Sequence, residues 1–194
     1  MIALSPPRRR RVFTFAAVYI VAYFAASYMD LATTSLGLQR PGVYEKNVFA
    51  TNAQGYLPAR AWLLTVFGAI IMALCILFSA NHSASVDAKW LRQPIASFRK
   101  VYLNPWSKNA ITVSPLHMLC LVIAFVLLRV VAAANNLLVY AYGFGPMGEL
   151  IKWTAARTSP LVGFCLVAFA SFLLAVIAVA PLAARIMASW RSTA

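Results

Sequence analysis

Arg8 to Arg40 reads RRRRVFTFAAVYIVAYFAASYMDLATTSLGLQR. Four arginines open the stretch, and from Val12 to Leu38 the chain is apolar except for hydroxyl-bearing side chains and a single aspartate, Asp30. A bilayer-spanning helix needs about 20 apolar residues, and a secretory h-region only roughly 7–15. The run is therefore too long for a signal peptide, and no small-x-small cleavage site precedes the next polar segment. It is expected to be a retained transmembrane helix that carries an acid.

Three further runs of similar character follow, at 61–80, 116–142 and 161–184. The chain is 62% hydrophobic and 11% charged, against about a quarter charged in soluble domains. The expected fold is all-α: a polytopic membrane protein, one domain over residues 1–194, built as a four-helix transmembrane bundle with spans at about 12–38, 61–80, 116–142 and 161–184. Cys75, Cys120 and Cys165 lie in separate apolar runs with no Cys-x-x-Cys pair and no His at ligand spacing, so they read as small buried hydrophobes. The net charge of +13 has no basic stripe with interleaved aromatics on a soluble domain beside it. That argues against nucleic acid as a partner.

Topology accounts better for the charge. Lys and Arg concentrate on the cytoplasmic side of membrane proteins. Arg8 to Arg11, Lys89, Arg92, Arg99, Lys100, Lys108, Arg185 and Arg191 would share one side; Arg40, Lys46, Arg60, Lys152 and Arg157 would share the other. Eleven against five predicts an N-in/C-in arrangement, with the bacterial inner membrane as the expected location. The cytoplasmic loop 82–115 sets Lys89, Arg92, Arg99 and Lys100 against Trp90, Leu91, Ile95, Phe98, Val101 and Tyr102 at near-helical spacing. This pattern suits a cationic helix on anionic headgroups at the cytoplasmic face; Pro94, inside it, leaves open a solvated loop with a few membrane-touching aromatics. Beyond the opposite span ends, Tyr44, Tyr56, Tyr142 and Trp153 are interface anchors. In span four, Ala168, Ser171, Ala175 and Ala178 form a small-residue face that permits close helix approach.

The interior polar residues carry the functional question. Asp30, Thr33, Thr34 and Gly37 share one helical face, which should point into the bundle. Arg129 lies near the middle of span three, and Asn136 stands two turns farther along the same face. A charge at mid-span costs roughly 2.5–3.5 kcal/mol on insertion scales, so Arg129 needs a partner. Asp30 is the one acid within a span, displaced in depth by about five residues, or roughly 7 Å, which an extended arginine can bridge. Such a pair is either a structural clamp or part of a site. His117, at the start of span three, has no companion ligand in sequence, and neither a metal nor a cofactor is expected.

Asp30-x-x-Thr33-Thr34 followed by Gly42-x-x-Glu45-x-Asn47 resembles the signature of a family of small bacterial membrane proteins grouped as a domain of unknown function. In that family an Asp-x-x-Thr helix end precedes Gly-x-x-Glu-x-Asn-Pro; here Val48 stands in the place of the proline. The resemblance spans residues 28–48. It implies a four-helix-like membrane domain with a polar focus of Asp30, Thr34, Glu45 and Asn47, and it brings no established reaction. Pro41-Gly42 would fold the chain back so that Glu45 and Asn47 return toward the level of Asp30.

Three function classes stay open on the sequence. An accessory or assembly subunit of a larger membrane complex, or a homo-oligomer, fits the short outer loops and the lack of a nucleotide, zincin, aspartyl-dyad or Ser/His motif. An intramembrane enzyme acting on a lipid or isoprenoid headgroup at the outer leaflet would use Asp30 and Glu45 as metal ligands or as acid and base, with Arg129 as anion clamp. A transporter protomer would need to oligomerise.

Overall fold

The computed structural model describes residues 6–45, 50–52, 55–103 and 108–191, and within these the backbone alone at 52, 55, 99–103 and 108–110. Asn47 lies outside the described residues, and so do the side chains of Arg99 and Lys100. The elements are α1 (Pro6–Gly37), a two-residue ladder of β1 (Thr51–Asn52) and β2 (Gly55–Tyr56), α2 (Pro58–Asn81), a 3-10 turn (Ser83–Ser85), α3 (Ala88–Arg92), α4 (Pro94–Leu103), α5 (Lys108–Tyr142), α6 (Pro146–Ala155) and α7 (Pro160–Arg191). Four of them, α1, α2, α5 and α7, are long and apolar enough to cross a membrane. The protein is an all-α polytopic membrane protein.

Proline opens most of these helices: Pro6, Pro58, Pro94, Pro146 and Pro160 each occupy a first helical position, where the missing N–H is not needed and φ is already helical. Inside α5, Pro115 takes a donor away from the carbonyl of Ile111, and the neighbouring Ser114 hydroxyl donates to that carbonyl at 2.8 Å. The helix therefore crosses the proline without an orphaned acceptor. Helical structure exceeds the apolar runs at both places where basic residues precede them. α1 begins before Arg8, and α5 begins at Lys108, inside the predicted cytoplasmic loop.

The chain divides into two compact units. The first comprises Met1–Val21, Ala69–Phe125 and Leu174–Ala194. Its core is well filled: Ile76, Leu116, Leu119, Met187 and Trp190 are all enclosed. Arginines there serve backbone carbonyls. Arg8 donates from Nη2 to the Ala80 carbonyl and, at 2.7 Å, to Ser83 Oγ; Arg11 donates to Ser189 O and Arg191 to Val86 O, each at 2.7 Å. Helix C-termini leave their last carbonyls without intrahelical donors, and a cation there also suits the macrodipole.

Between α2 and α5 the predicted cationic helix is two helices. The break is at Gln93, where ψ turns to 59°, and Pro94 starts the next helix. Lys89 and Arg92 are exposed while Trp90 and Phe98 are buried in the protein, so two of the aromatics expected at a membrane surface are core residues. Ile95 is exposed. Phe98 packs on His117 at 4.3 Å between ring centroids, and His117 Nε2 lies 3.1 Å from Ser97 Oγ. His117 is thus a packed, hydrogen-bonded histidine.

The second unit comprises Ala22–Gly68 and Val126–Leu173. Fewer large apolar side chains are enclosed in it, with Tyr23, Leu31, Ala61, Thr65, Ala133 and Val167 among its buried residues. The segment after α1 turns at Pro41-Gly42 and returns: Ala50 is buried with Leu31 and Ala61, and Tyr56 packs against them. On α7, Ala175 is buried but Ala178 is exposed, so the small-residue face does not run as the spacing predicts. The buried positions of that helix follow Val167, Val176, Ala180, Ala183 and Met187 instead. Across all four long helices most of the apolar surface stays outward, for example at Val21, Leu63, Phe67, Leu74 and Leu174, as expected where lipid rather than protein covers it.

Candidate functional site: an ion pair between spans

α1 presents Asp30 on its enclosed face, and α5 presents Arg129 and Asn136 two turns apart. The three meet in the second unit. Arg129 Nη1 donates to Asp30 Oδ2 at 2.7 Å, and Asn136 Nδ2 donates to Asp30 Oδ1 at 3.2 Å. The two charges that the sequence places at different depths therefore meet. Asn136 Nδ2 also donates to Thr34 Oγ1 at 2.8 Å, and Thr34 Oγ1 in turn donates to the Asp30 carbonyl at 2.8 Å. Thr33 takes a different part. Its hydroxyl returns to the carbonyls of Met29 and Asp30 in its own helix and does not reach the carboxylate.

Two members of the cluster are not evident from charge patterning. Thr65 on α2 accepts from Arg129 Nη2 at 3.3 Å while donating to Ala61 O at 3.0 Å. Tyr23 on α1, 1% exposed, donates to the Thr65 carbonyl at 3.2 Å and is within hydrogen-bonding reach of Arg129. Gly68 makes room for it, since a Cβ there would fall 2.6 Å from the Tyr23 hydroxyl. Tyr23 is seven residues before Asp30, on the same helical face, which is a signal the sequence carried. Thr65 has a weaker signal, a hydroxyl in the apolar run of span two.

The ion pair sits in low dielectric, where an unmatched charge is costly and a matched one is held tightly. The Asp30 side chain is 11% exposed and the Arg129 side chain 24%, so the carboxylate is the more enclosed of the two. The cluster ties α1, α2 and α5 together.

Glu45 is half-buried in the extended segment that leaves the Pro41-Gly42 turn. Its charge acts on Tyr56. Burial first raises the Tyr56 phenol above its ordinary value, and Glu45 and then Asp30 raise it further against the opposing field of Arg129. Tyr56 thus links the returning segment to the ion pair electrostatically, and it is a residue that sequence reasoning assigned only to an interface belt. Asn47, the fourth member of the implied polar focus, lies outside the described residues. Lys89 and Arg92, the described pair of the predicted lipid-facing basic residues, belong to the first unit, and Lys89 Nζ lies 5.5 Å from the centre of the Trp90 ring.

Asn135, the neighbour of Asn136, is aimed elsewhere: its Oδ1 accepts from the Met147 amide at 3.0 Å. That amide belongs to the first turn of α6, whose own cap residue, Gly145, has no side chain to offer. Among the described residues no three His, Cys, Asp or Glu side chains gather as a metal site. The chain matches no family model, no curated protein and no solved structure.

Proposed function

We propose that this protein is an accessory or assembly subunit of a membrane complex, without a catalytic role for its buried acid, and that Asp30, Arg129, Asn136, Thr34 and Thr65 form the clamp that holds its spans in register. One observation carries this reading. Each oxygen of the Asp30 carboxylate is taken by a donor from the protein, Oδ2 by Arg129 and Oδ1 by Asn136. With both oxygens held by donors of the protein and the residue 8% exposed, the carboxylate is committed to structure and closed to a substrate, whereas a general base must reach the proton it abstracts. Buried ion pairs with a registry role are well attested. The resemblance of residues 28–48 to a membrane family without a known reaction agrees with it.

Purification in mild detergent followed by native mass spectrometry tests this reading. A second polypeptide held in fixed stoichiometry is expected, whether another protein or a second copy of this chain; a monomer carrying nothing would refute it. The eleven-to-five division of basic residues supports N-in/C-in orientation in a bacterial inner membrane. Reporter fusions at residue 100 and at the C-terminus should then report the cytoplasm, and an external signal at residue 100 would reverse the assignment.

A second reading, an enzyme acting on a lipid headgroup, has one observation in its favour: the fields of Glu45 and Asp30 converge on Tyr56. Under that reading Glu45→Gln abolishes the cellular phenotype at unchanged abundance. Under the subunit reading it leaves the phenotype intact.

A further inference from the structure

Where α1 and α5 end, a second feature of the same unit is independent of the ion pair. A cavity of about 160 Å³ is lined by Arg40, Gly42, Gly143, Gly145, Glu149 and Lys152, among others. Gly42 and Gly143 are, among the described residues, the two glycines with left-handed backbone, at φ +77° and +72°, a conformation glycine adopts without strain. At Gly42 the wall presents open peptide backbone, with nothing within 4 Å of where a Cβ would stand. At Gly143 the missing Cβ also admits the arginine, because a Cβ would stand 3.4 Å from Arg40 Cζ and 3.5 Å from Nε.

Arg40 is held in place by one nitrogen only. Its Nη1 donates to Val139 O at 3.2 Å and Tyr140 O at 2.7 Å, in the last turn of α5, while Nη2 and Nε bond to no other described residue. The guanidinium is thus anchored by a helix end and keeps donors to spare. Lys152 Nζ lies 2.7 Å from Glu149 Oε1 across an exposed pair, and that hydrogen bond raises the Lys152 ammonium above its ordinary value, so it stays charged. Two cations and one carboxylate leave the lining charged groups at net +1.

The cavity is well below the roughly 300–1,000 Å³ of clefts that enclose drug-sized ligands, so it suits a headgroup and not a whole metabolite. It follows directly on Gly37 and Tyr142, the ends of two helices long and apolar enough to cross a membrane, and headgroups flank the hydrocarbon core at the ends of spanning segments. We propose that this cavity binds a phosphate oxyanion, with Arg40 and Lys152 as its cationic walls, and that the phosphodiester of a membrane lipid supplies it. Arginine and lysine are the side chains that recognise phosphate, the first through its planar fork. Glu149 and the flanking apolar side chains set the preference between sources. A phosphodiester has one negative charge and a phosphate with a second ionisation near pH 6 almost two at neutral pH; the carboxylate takes back part of the extra attraction that Arg40 and Lys152 give the dianion, and only the lipid adds apolar contact with exposed Tyr142 and Phe144 on either side of Gly143.

The test uses the full-length protein in detergent, titrated by calorimetry with short-chain dihexanoyl phosphatidylglycerol and, separately, with inorganic phosphate. Saturable one-to-one binding of the lipid is expected, weakened about tenfold in Lys152→Gln, with inorganic phosphate binding more weakly to the native protein and more tightly to Glu149→Gln. Lys152 and Glu149 are exposed, so both variants keep the fold, and an unchanged melting temperature verifies it. Arg40→Gln would also remove the cap on α5 and is not needed. Inorganic phosphate binding more tightly than the lipid would overturn the lipid as source. Equal lipid affinity in native protein and Lys152→Gln, or no saturable binding of either probe, would overturn the site.

Discussion

Arg8 in the first unit is buried and Arg129 in the second is partly buried, and the two are matched by different chemistry. Arg8 is 7% exposed, and its partners are uncharged: the Ala80 carbonyl and the Ser83 hydroxyl. Arg129 is met by a carboxylate. The first arrangement relieves a shortage that every helix end has. The second exists only because each charge requires the other, since an acid or a base alone at that depth would be expensive. An arginine serving a helix end can be lost without leaving a charge behind, but a partner in an ion pair cannot.

The largest expected effect separates the two. Asp30→Asn leaves Arg129 enclosed without a counter-charge and should lower stability by about 3–5 kcal/mol, read as the midpoint of denaturant unfolding in bicelles. Adding Arg129→Gln should restore part of that loss, because removing both charges removes the mismatch. Strict additivity in the double mutant would show that the two residues act independently, and the contrast with Arg8 would collapse.

Arg8→Gln should cost less, about 1.5–3 kcal/mol, the range for hydrogen bonds made by a charged group. Its buried Nε has no partner among the described residues, which already offsets part of what the other nitrogens contribute. No rescue is expected from Ser83→Ala in the same chain. Rescue there would mean that Arg8 belongs to a coupled network like that of Arg129.

The smallest effect concerns Tyr56. Its phenol is raised above 10.0 by burial, then by Glu45 and Asp30. The folded protein then holds this proton longer than the unfolded chain does, so the contribution to stability is full below the ordinary tyrosine value and is lost as pH rises through the raised one. A difference titration at 295 nm between native protein and Tyr56→Phe should show the late ionisation. In Glu45→Gln that ionisation should move to lower pH, because one of the raising charges is gone. An unmoved titration would mean that Glu45 does not act on Tyr56.

How much of this was legible before any coordinates followed from scarcity. With four acids in the chain and one base inside a span, the Asp30 and Arg129 pairing could be reached from depth alone, and Asn136 from its two-turn spacing. The fold class was legible for the same reason that charge was rare, since long apolar runs admit few architectures. Tyr23 and Thr65 were harder to single out, because hydroxyls in apolar helices more often bond to their own backbone, as Thr33 does. Arg8 was read as a topological signal and is a structural residue as well; charge counting cannot tell a guanidinium in water from one turned onto a helix end. The ladder at Thr51 to Tyr56 has two residues per strand, too short for alternation to register. Trp90 and Phe98 follow the amphipathic pattern, but the face they mark is turned to protein, a distinction that hydropathy does not make.

The adjacent asparagines of α5 have a mechanical consequence. Successive residues on a helix point about 100° apart, and here one holds α1 through Asp30 and Thr34 while the other holds the first turn of α6. A helix bathed in lipid has little to fix its rotation about its own axis, because a greasy surface looks much the same from every angle. Asn135 and Asn136 act as a two-toothed key beside Arg129: a turn of this C-terminal part of α5 in either direction breaks one engagement or the other.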